Sequence, residues 1–263
     1  MPKPNTILSF LAAIDAHAKA TYVVNEKLEA DFAFHRHRKG QLTYIEGGMS
    51  YLYTSDKTYF LPARHWIWIP AGMEHFVHFN DQAPMALNLY FDVSVTDNPV
   101  YGKMGIYPVH PLLLELFAYI LPWQGEYAPG NPAFTVLETI KYLVGALEQQ
   151  PLPIVLPTSR NAVLQRILVY MHEALDETLT LQKVSRHFGL SVRSLSRLFQ
   201  KELGLPFLQY LKQYRIIKAM EALLEGRKNI GEIALDSGYK SIAAFSNAFY
   251  DMVKVRPTAF RKG

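Results

Sequence analysis

The sequence contains no cysteine among its 263 residues. Disulfides, thiolate metal centres and cysteine nucleophiles are therefore excluded. It also lacks an apolar run of membrane-spanning length, because charge or proline interrupts every stretch well short of the ~20 residues a span requires. The opening MPKPNTILSF has no basic stretch leading into a long apolar segment, so no secretory leader is expected. These absences predict a cytoplasmic protein without a membrane partner. Charged residues make up only 19% of the chain against 49% hydrophobic, which argues against global disorder. The length suits one large domain or two ordinary ones.

What charge there is falls unevenly. Residues 1–157 carry 10 Lys and Arg against 14 Asp and Glu, whereas the remainder carries 17 against 9. A basic half joined to an acidic half fits one part that meets a polyanion and one that does not.

The local patterns divide at the same place. QLTYIEGG, MSYLYTSD, TYFLPARHWIWIPAG and MALNLYFDVSV, all within residues 20–95, are rich in β-branched and aromatic residues and separated by Gly, Asp or Pro. They read as short strands of an antiparallel barrel or sandwich. From Pro108 onward, HPLLLELFAYILPW and AFTVLETIKYLVGALEQQ show helical spacing. Pro151, Pro153 and Pro157 then make a stiff connector. The expected fold is α+β, with a barrel over 1–110, a helical dimerisation segment and linker over 111–157, and an all-α domain over 158–263.

That last segment repeats itself. LTLQKVSRHFGLSVRSLSRLFQKE and KNIGEIALDSGYKSIAAFSNAFYD align Val184 with Ile233, Ser185 with Ala234 and Gly189 with Gly238. Past the turn the second copy is one residue longer, so Leu195 falls on Phe245 and Phe199 on Phe249. Each copy reads as a short helix, a glycine turn, a serine cap (Ser191, Ser241) and a second helix, which is a helix-turn-helix. In the first copy Leu195, Leu198 and Phe199 share an inward face, leaving Arg193, Ser196, Arg197 and Lys201 outward. Arg suits guanine edges, and Lys or Ser suits phosphates.

Residues 172–262 resemble the AraC/XylS family of bacterial transcription regulators. The resemblance is carried by Gly204, Tyr210 and Arg215, then Ile230, Ile233, Ala234, Gly238 and Tyr239, then Pro257, Phe260 and Arg261. It implies two helix-turn-helix units joined by a rigid helix, placing recognition helices in successive major grooves of a double-stranded operator. Bases would be read by Arg193, Ser196 and Arg197. The second unit departs from the family pattern: Asp251 would face a polyanion, while Ile242, Ala243 and Ala244 offer little hydrogen bonding. Lys240, Ser241 and Asn247 remain available for DNA. Lys254 and Arg256 replace the usual Gly and Thr before the final proline, which alters the last turn or moves phosphate contacts there.

Residues 34–79 resemble the cupin barrel. Its two motifs are met by His35-x-His37-x3-Gln41-x6-Gly48 and by Pro70-x-Gly72-x-x-His75. On a strand, residues two apart share a face, so His35 and His37 both point inward. The resemblance implies one divalent ion (Zn, Ni, Mn or Fe) on His35, His37, Gln41 and His75. Gln41 stands where the motif has glutamate, and an amide oxygen is a weaker ligand that cannot act as a base. The plain alternative is a histidine cluster hydrogen-bonding an organic effector or its own neighbours. His78 should face away. Tyr44, Trp66, Trp68 and Phe76, with Tyr90 and Phe91 nearby, are the expected aromatic wall for a small-molecule effector, or else ordinary barrel core.

The functional expectation is a regulator whose barrel senses a small molecule or metal, with no catalytic residues. The rivals are a cupin metalloenzyme with a vestigial DNA module and a constitutive DNA-binding protein with an inert barrel. The apolar stripe Leu112, Leu113, Leu116 and Ile120 points to a homodimer, unless the helix at 133–149 covers it within one subunit.

Overall fold

The computed structural model describes residues 4–25, 33–79, 85–147 and 150–262, with backbone alone at 4–7 and 262. Their contacts form two compact units. One holds the described residues up to Thr54 together with Leu61–Leu152. The other holds Ser55–Phe60 and the chain from Pro153 onward.

The first unit begins with helix α1 (Pro4–Asp15) and strands β1 (Thr21–Val24), β2 (Gly40–Ile45) and β3 (Met49–Tyr53). Strand β4 (Lys57–Pro62) follows, its last two residues returning to this unit. Then come β5 (His65–Ile69), β6 (Phe76–His78), β7 (Ala86–Phe91) and β8 (Gly105–Pro108). The unit closes with α2 (Pro111–Ile120), β9 (Gly125–Tyr127) and α3 (Pro132–Ala146). Six strands form one antiparallel sheet in the order β8-β5-β2-β7-β1-β9. Its centre pairs Gln41 with Ile69 and Tyr90, and Thr43 with Ile67 and Asn88. Opposite it, β3 pairs with β6.

The sheet's two faces have different partners. Leu42, Tyr44, Trp66, Trp68, Leu87, Leu89 and Phe91 share a buried cluster with Leu113, Phe117 and Ile120 of α2 and Leu137, Ile140 and Val144 of α3. Each such side chain contributes about 1.5–3 kcal/mol by area removed from water. Asn131 caps α3 by accepting from Ala133 N–H at 2.9 Å, and His110 Nδ1 caps α2 by accepting from Leu112 N–H at 3.2 Å. The expected dimer stripe on α2 is thus divided: Leu113 and Ile120 are buried beside α3 and Leu116 packs half-buried against the same cluster, while Leu112 stays exposed. The expected end of α3 at residue 149 lies outside the described residues.

The second unit contains β10 (Val155–Pro157), whose Val155, Leu156 and Pro157 pair with Tyr59, Thr58 and Lys57 of β4. The boundary between units accordingly falls before Pro153. Helices α4 (Ala162–Glu173), α5 (Leu181–His187), α6 (Val192–Leu203), α7 (Phe207–Glu225), α8 (Ile230–Asp236), α9 (Ile242–Val253) and α10 (Pro257–Lys262) follow. Their starts are chemically marked. Thr180 caps α5, Ser191 caps α6, Ser241 caps α9, and Asn229 with Glu232 makes a capping box on α8. Each helix-turn-helix turns on a left-handed glycine, Gly189 at φ +64° and Gly238 at φ +73°.

Gly238 has a second constraint. A Cβ there would lie 2.3 Å from Arg215 Nη2 and 2.5 Å from the Leu175 carbonyl. The left-handed conformation and this clash together predict that Gly238→Ala costs about 2–4 kcal/mol, measured by denaturant unfolding.

Burial pushes the His65 imidazole down from 6.5 to about 4. The folded state keeps it neutral, with Nδ1 at 2.8 Å from the Ala63 carbonyl. Above pH 6.5 both folded and unfolded forms are neutral, so its contribution is complete. Below 6.5 the unfolded chain takes up the proton first, and the contribution is lost as the pH falls to about 4. Stability is expected to fall across that window by up to about 3 kcal/mol from this group. His65→Asn should flatten that part of the pH-stability curve.

Candidate functional sites: a histidine cluster and two recognition helices

In the barrel, His35 and His75 form an isolated antiparallel bridge, each backbone N–H donating to the other's carbonyl at 2.9 Å. Gly72 at φ +74° makes the turn before His75, and its N–H donates to His37 O at 2.8 Å. These main-chain bonds, spanning 40 residues from His35 to His75 and 35 from His37 to Gly72, bring two distant segments to one point. His35, His37 and His75 are all buried, and one ring nitrogen from each lies within 4.8 Å of the others.

The ring orientations follow from simple chemistry. His35 Nδ1 is 3.1 Å from Ala33 O, His37 Nδ1 is 2.7 Å from Lys39 O, and His75 Nδ1 is 2.8 Å from Met73 O. A carbonyl oxygen only accepts, so each Nδ1 carries the hydrogen, and in the neutral ring Nε2 presents a lone pair. Such outer hydrogen bonds fix tautomers in metal-binding histidines.

Gln41 completes the cluster. Its Oε1 is 2.9 Å from His37 Nε2, while its Nε2 donates to Thr43 Oγ1 at 2.9 Å and to Asn88 Oδ1 at 3.3 Å. Thr43 also donates to Asn88 Oδ1 at 2.8 Å. A lone pair on His37 therefore faces a second acceptor. A proton or metal cation reconciles the two, as does a Gln41 amide turned over to donate. The donor set of three imidazoles and an amide oxygen fits a divalent ion of the Zn, Ni, Mn or Fe kind.

Most of the expected aromatic wall lies elsewhere. Strand alternation and register put Tyr44, Trp66 and Trp68 on the face opposite Gln41 and Thr43, under α2 and α3. Tyr44 packs at a tilt against Phe117, ring centres 5.0 Å apart, and donates its hydroxyl hydrogen to Glu46. Trp66 stacks on Tyr107 at 4.4 Å, and Trp68 donates its indole N–H to Tyr101 O at 3.0 Å. Phe76 stacks outward on Tyr53 at 5.6 Å, one position out of phase with His75. His78 is exposed beside Tyr51, also turned away. The side chains that accompany the histidines are Thr43, Asn88 and Tyr90, the last 5.1 Å from the His37 ring. Thr43 was readable as two residues beyond Gln41. Tyr90, expected beside the pocket wall, and Asn88, which the sequence did not single out, both arrive through the β2–β7 register.

In the second unit the predicted outward faces are exposed. Arg193, Ser196, Arg197 and Lys201 of α6 all face solvent, with Leu195 and Phe199 buried beneath them. Gln200 shares this face, one turn from Arg197 and Ser196, and was not singled out from the sequence. Lys240, Ser241 and Asn247 are exposed as well, although the Ser241 hydroxyl accepts from Ala244 N–H at 3.2 Å as a cap. Asp251 pairs with Lys212 of α7 at 3.8 Å, so its charge does not stand alone. Lys254 keeps the left-handed conformation at φ +66° that Gly204 adopts at φ +67° in the first copy, so the last turn is not altered. Arg256 folds back onto α9, donating to Asn247 Oδ1 at 3.0 Å and to Ser246 O at 3.3 Å.

Comparison with known proteins matches two separate segments of the chain. Residues 24–95 match the AraC-like ligand binding domain, and residues 184–263 match a helix-turn-helix domain. The transcriptional regulator NimR of Escherichia coli is 28% identical over 216 residues, covering 82% of this chain and 77% of that protein. The TetD protein of transposon Tn10 from Escherichia coli is 31% identical over 102 residues, 39% of this chain and 74% of that protein. Among solved structures, the C-terminal domain of AraT, a response regulator from Geobacillus stearothermophilus, is 34% identical with a TM-score of 0.38. It covers 40% of this chain and 88% of that one. Several further bacterial regulators match over about 40% of this chain and about a third of their own length.

The tautomer assignment can be read directly. Long-range proton–nitrogen spectra of metal-free protein should show a protonated Nδ1 and an unprotonated Nε2 for His35 and His75. A protonated Nε2 on either neutral ring would contradict it.

Proposed function

Because the chain belongs to the AraC/XylS family of transcription regulators, we propose that filling its barrel changes how firmly a homodimer holds operator DNA. The chain pairs a ligand-binding domain with a helix-turn-helix DNA-binding domain. The occupant proposed for the barrel is a divalent metal ion on His35, His37, His75 and Gln41, or a small-molecule effector held by the same groups. The observation that carries this reading is the convergence of three imidazoles within 4.8 Å, each with its Nδ1–H tied to a carbonyl. A bound ion would supply a Lewis-acidic centre for an anionic or carbonyl oxygen of the effector. The residues themselves orient the lone pairs, and Thr43 and Asn88 hold the Gln41 amide.

DNA contact falls to the exposed Arg193, Ser196, Arg197 and Lys201, with Lys240, Ser241 and Asn247 from the second unit. Helix α7 between them has 19 residues, about 28 Å of rise, close to the ~34 Å separating successive turns of a duplex. Exposed Leu112 and Tyr119 on α2 support self-association. No helix among the described residues is long and apolar enough to cross a membrane, and the proposed place of action is the cytoplasm, where the operator lies. The relatives are regulators, and sensing rather than catalysis is the role proposed for the barrel. A coupling of about 1–3 kcal/mol between barrel and operator suffices for regulation.

The test is a selection of genomic fragments by the full-length protein, with and without chelator. Specific fragments are expected, with recovery lost on chelation and restored by added metal if the ion is part of the switch. Recovery indifferent to chelation would assign the switch to an organic effector. Enrichment of nothing would overturn the regulator reading and favour a metalloenzyme. Arg197→Ala should weaken binding to the selected duplex by about 1–3 kcal/mol and relax preference at one position, as measured by titration at fixed salt.

A further inference from the structure

We propose that the two recognition helices read different bases, α6 guanine and α9 adenine with flanking thymine. In α9, Asn247 is the base-contacting residue and Arg256 the positioning residue that orients its amide. This rests on the reading of both helices as groove-binding elements.

The two helices superimpose residue for residue in sequence. Each is 12 residues long, each is capped by a serine accepting from the third helical N–H, and each ends in a left-handed residue, Gly204 or Lys254. Leu195, Phe199 and Leu203 are buried in one, and Phe245, Phe249 and Val253 in the other. With the frame fixed by caps and core, Ala243 stands where α6 has Arg193, Ser246 where it has Ser196, and Asn247 where it has Arg197. Both base-reading arginines of the first unit are thus absent from the second. Arginine is geometrically matched to guanine O6 and N7; asparagine is matched to adenine N6 and N7. Alanine and isoleucine have no hydrogen bond to offer but suit the thymine methyl, and Ile242, Ala243 and Ala244 are all exposed.

Arg256 makes Asn247 a defined reader. A guanidinium only donates, so its bond to Asn247 Oδ1 at 3.0 Å turns the amide oxygen toward Arg256. One oxygen lone pair remains to accept from adenine N6–H, and Nδ2 remains to donate to N7. The guanidinium is itself held by Ser246 O at 3.3 Å and lies over the Tyr250 ring, 4.8 Å from its centre; a lysine ammonium lacks the fork that makes both contacts at once. In the first copy the position equivalent to Arg256 is Pro206, the residue before α7, so this arrangement belongs to the second unit alone.

The experiment is in-vitro selection from random duplexes with full-length wild type, Asn247→Arg, Arg256→Ala and Arg256→Lys, alongside thermal unfolding of each. Wild type should select a guanine-containing block and, about one helical turn away, a block with one adenine preferred at least about tenfold. Asn247→Arg should convert that adenine to guanine. Arg256→Ala should flatten preference at that position while the guanine block and the unfolding midpoint stay as in wild type, and Arg256→Lys should not restore it. A guanine block with no adenine preference beside it would overturn this proposal and leave the regulator reading standing. So would unaltered preference in Arg256→Ala, a uniform loss tracking a lowered midpoint, or full rescue by lysine. Selection of no sequence at all would overturn both readings.

Discussion

In the C-terminal unit, Arg215 of α7 donates to Leu175 O at 3.3 Å and to Glu177 O at 2.9 Å, and its guanidinium lies 5.9 Å from the Tyr239 ring. One side chain thereby joins the loop before the first helix-turn-helix to the turn of the second. Gly238 is the counterpart of this contact, since any side chain there would occupy the space the guanidinium fills. On the same helix Tyr210 hydrogen-bonds His172 of α4 at 3.1 Å and packs against Phe199 of α6 at 5.9 Å. The linker helix is therefore a packed spine rather than a spacer. The spacing of the two recognition helices depends on its side chains.

The sensor unit depends on an equally simple constraint, the period of two along a strand. Once β2 turns Gln41 and Thr43 toward the histidines, Leu42 and Tyr44 must face away, and β5 and β7 follow through their register. One face of the sheet then carries a polar cluster, the other an aromatic core sealed by two helices. Helix α1 lies on the polar face's side: Phe10 and Leu11 pack against the Ile14, Val24 and Tyr90 cluster. Asp15 at its end accepts from Arg38 N–H at 3.1 and 3.0 Å, beside the histidine strand.

The two helix-turn-helix units show how a repeated frame carries different chemistry. Caps, glycine turns and buried aromatics are common to both, because these decide whether the helices form and pack. The outward residues diverge, since nothing in folding constrains them. Lys254 illustrates the line between the two classes. It keeps the left-handed conformation without being glycine, and its ammonium donates to Asp251 O at 2.8 Å, meeting one terminal carbonyl of α9.

The sequence by itself determined the strand-rich half followed by helices, the two helix-turn-helix units and the three histidines, because each rests on short-range spacing: period two, period 3.6, a cap three residues from its donor. Helix α1 and strands β9 and β10 were not legible in it. It also marked Arg193, Ser196 and Arg197 as outward, since Leu195 and Phe199 set the helix phase. What only the tertiary structure decided depends on contacts distant along the chain. The sequence showed Tyr44, Trp66, Trp68 and Phe76 as aromatics near the motif, but it did not show that α2 and α3 would cover three of them on the far face. Asn88 reached Gln41, and Arg256 reached Asn247, through register and a chain reversal. A side chain's neighbours across a sheet or a turn are fixed by packing, and packing is not written in local periodicity.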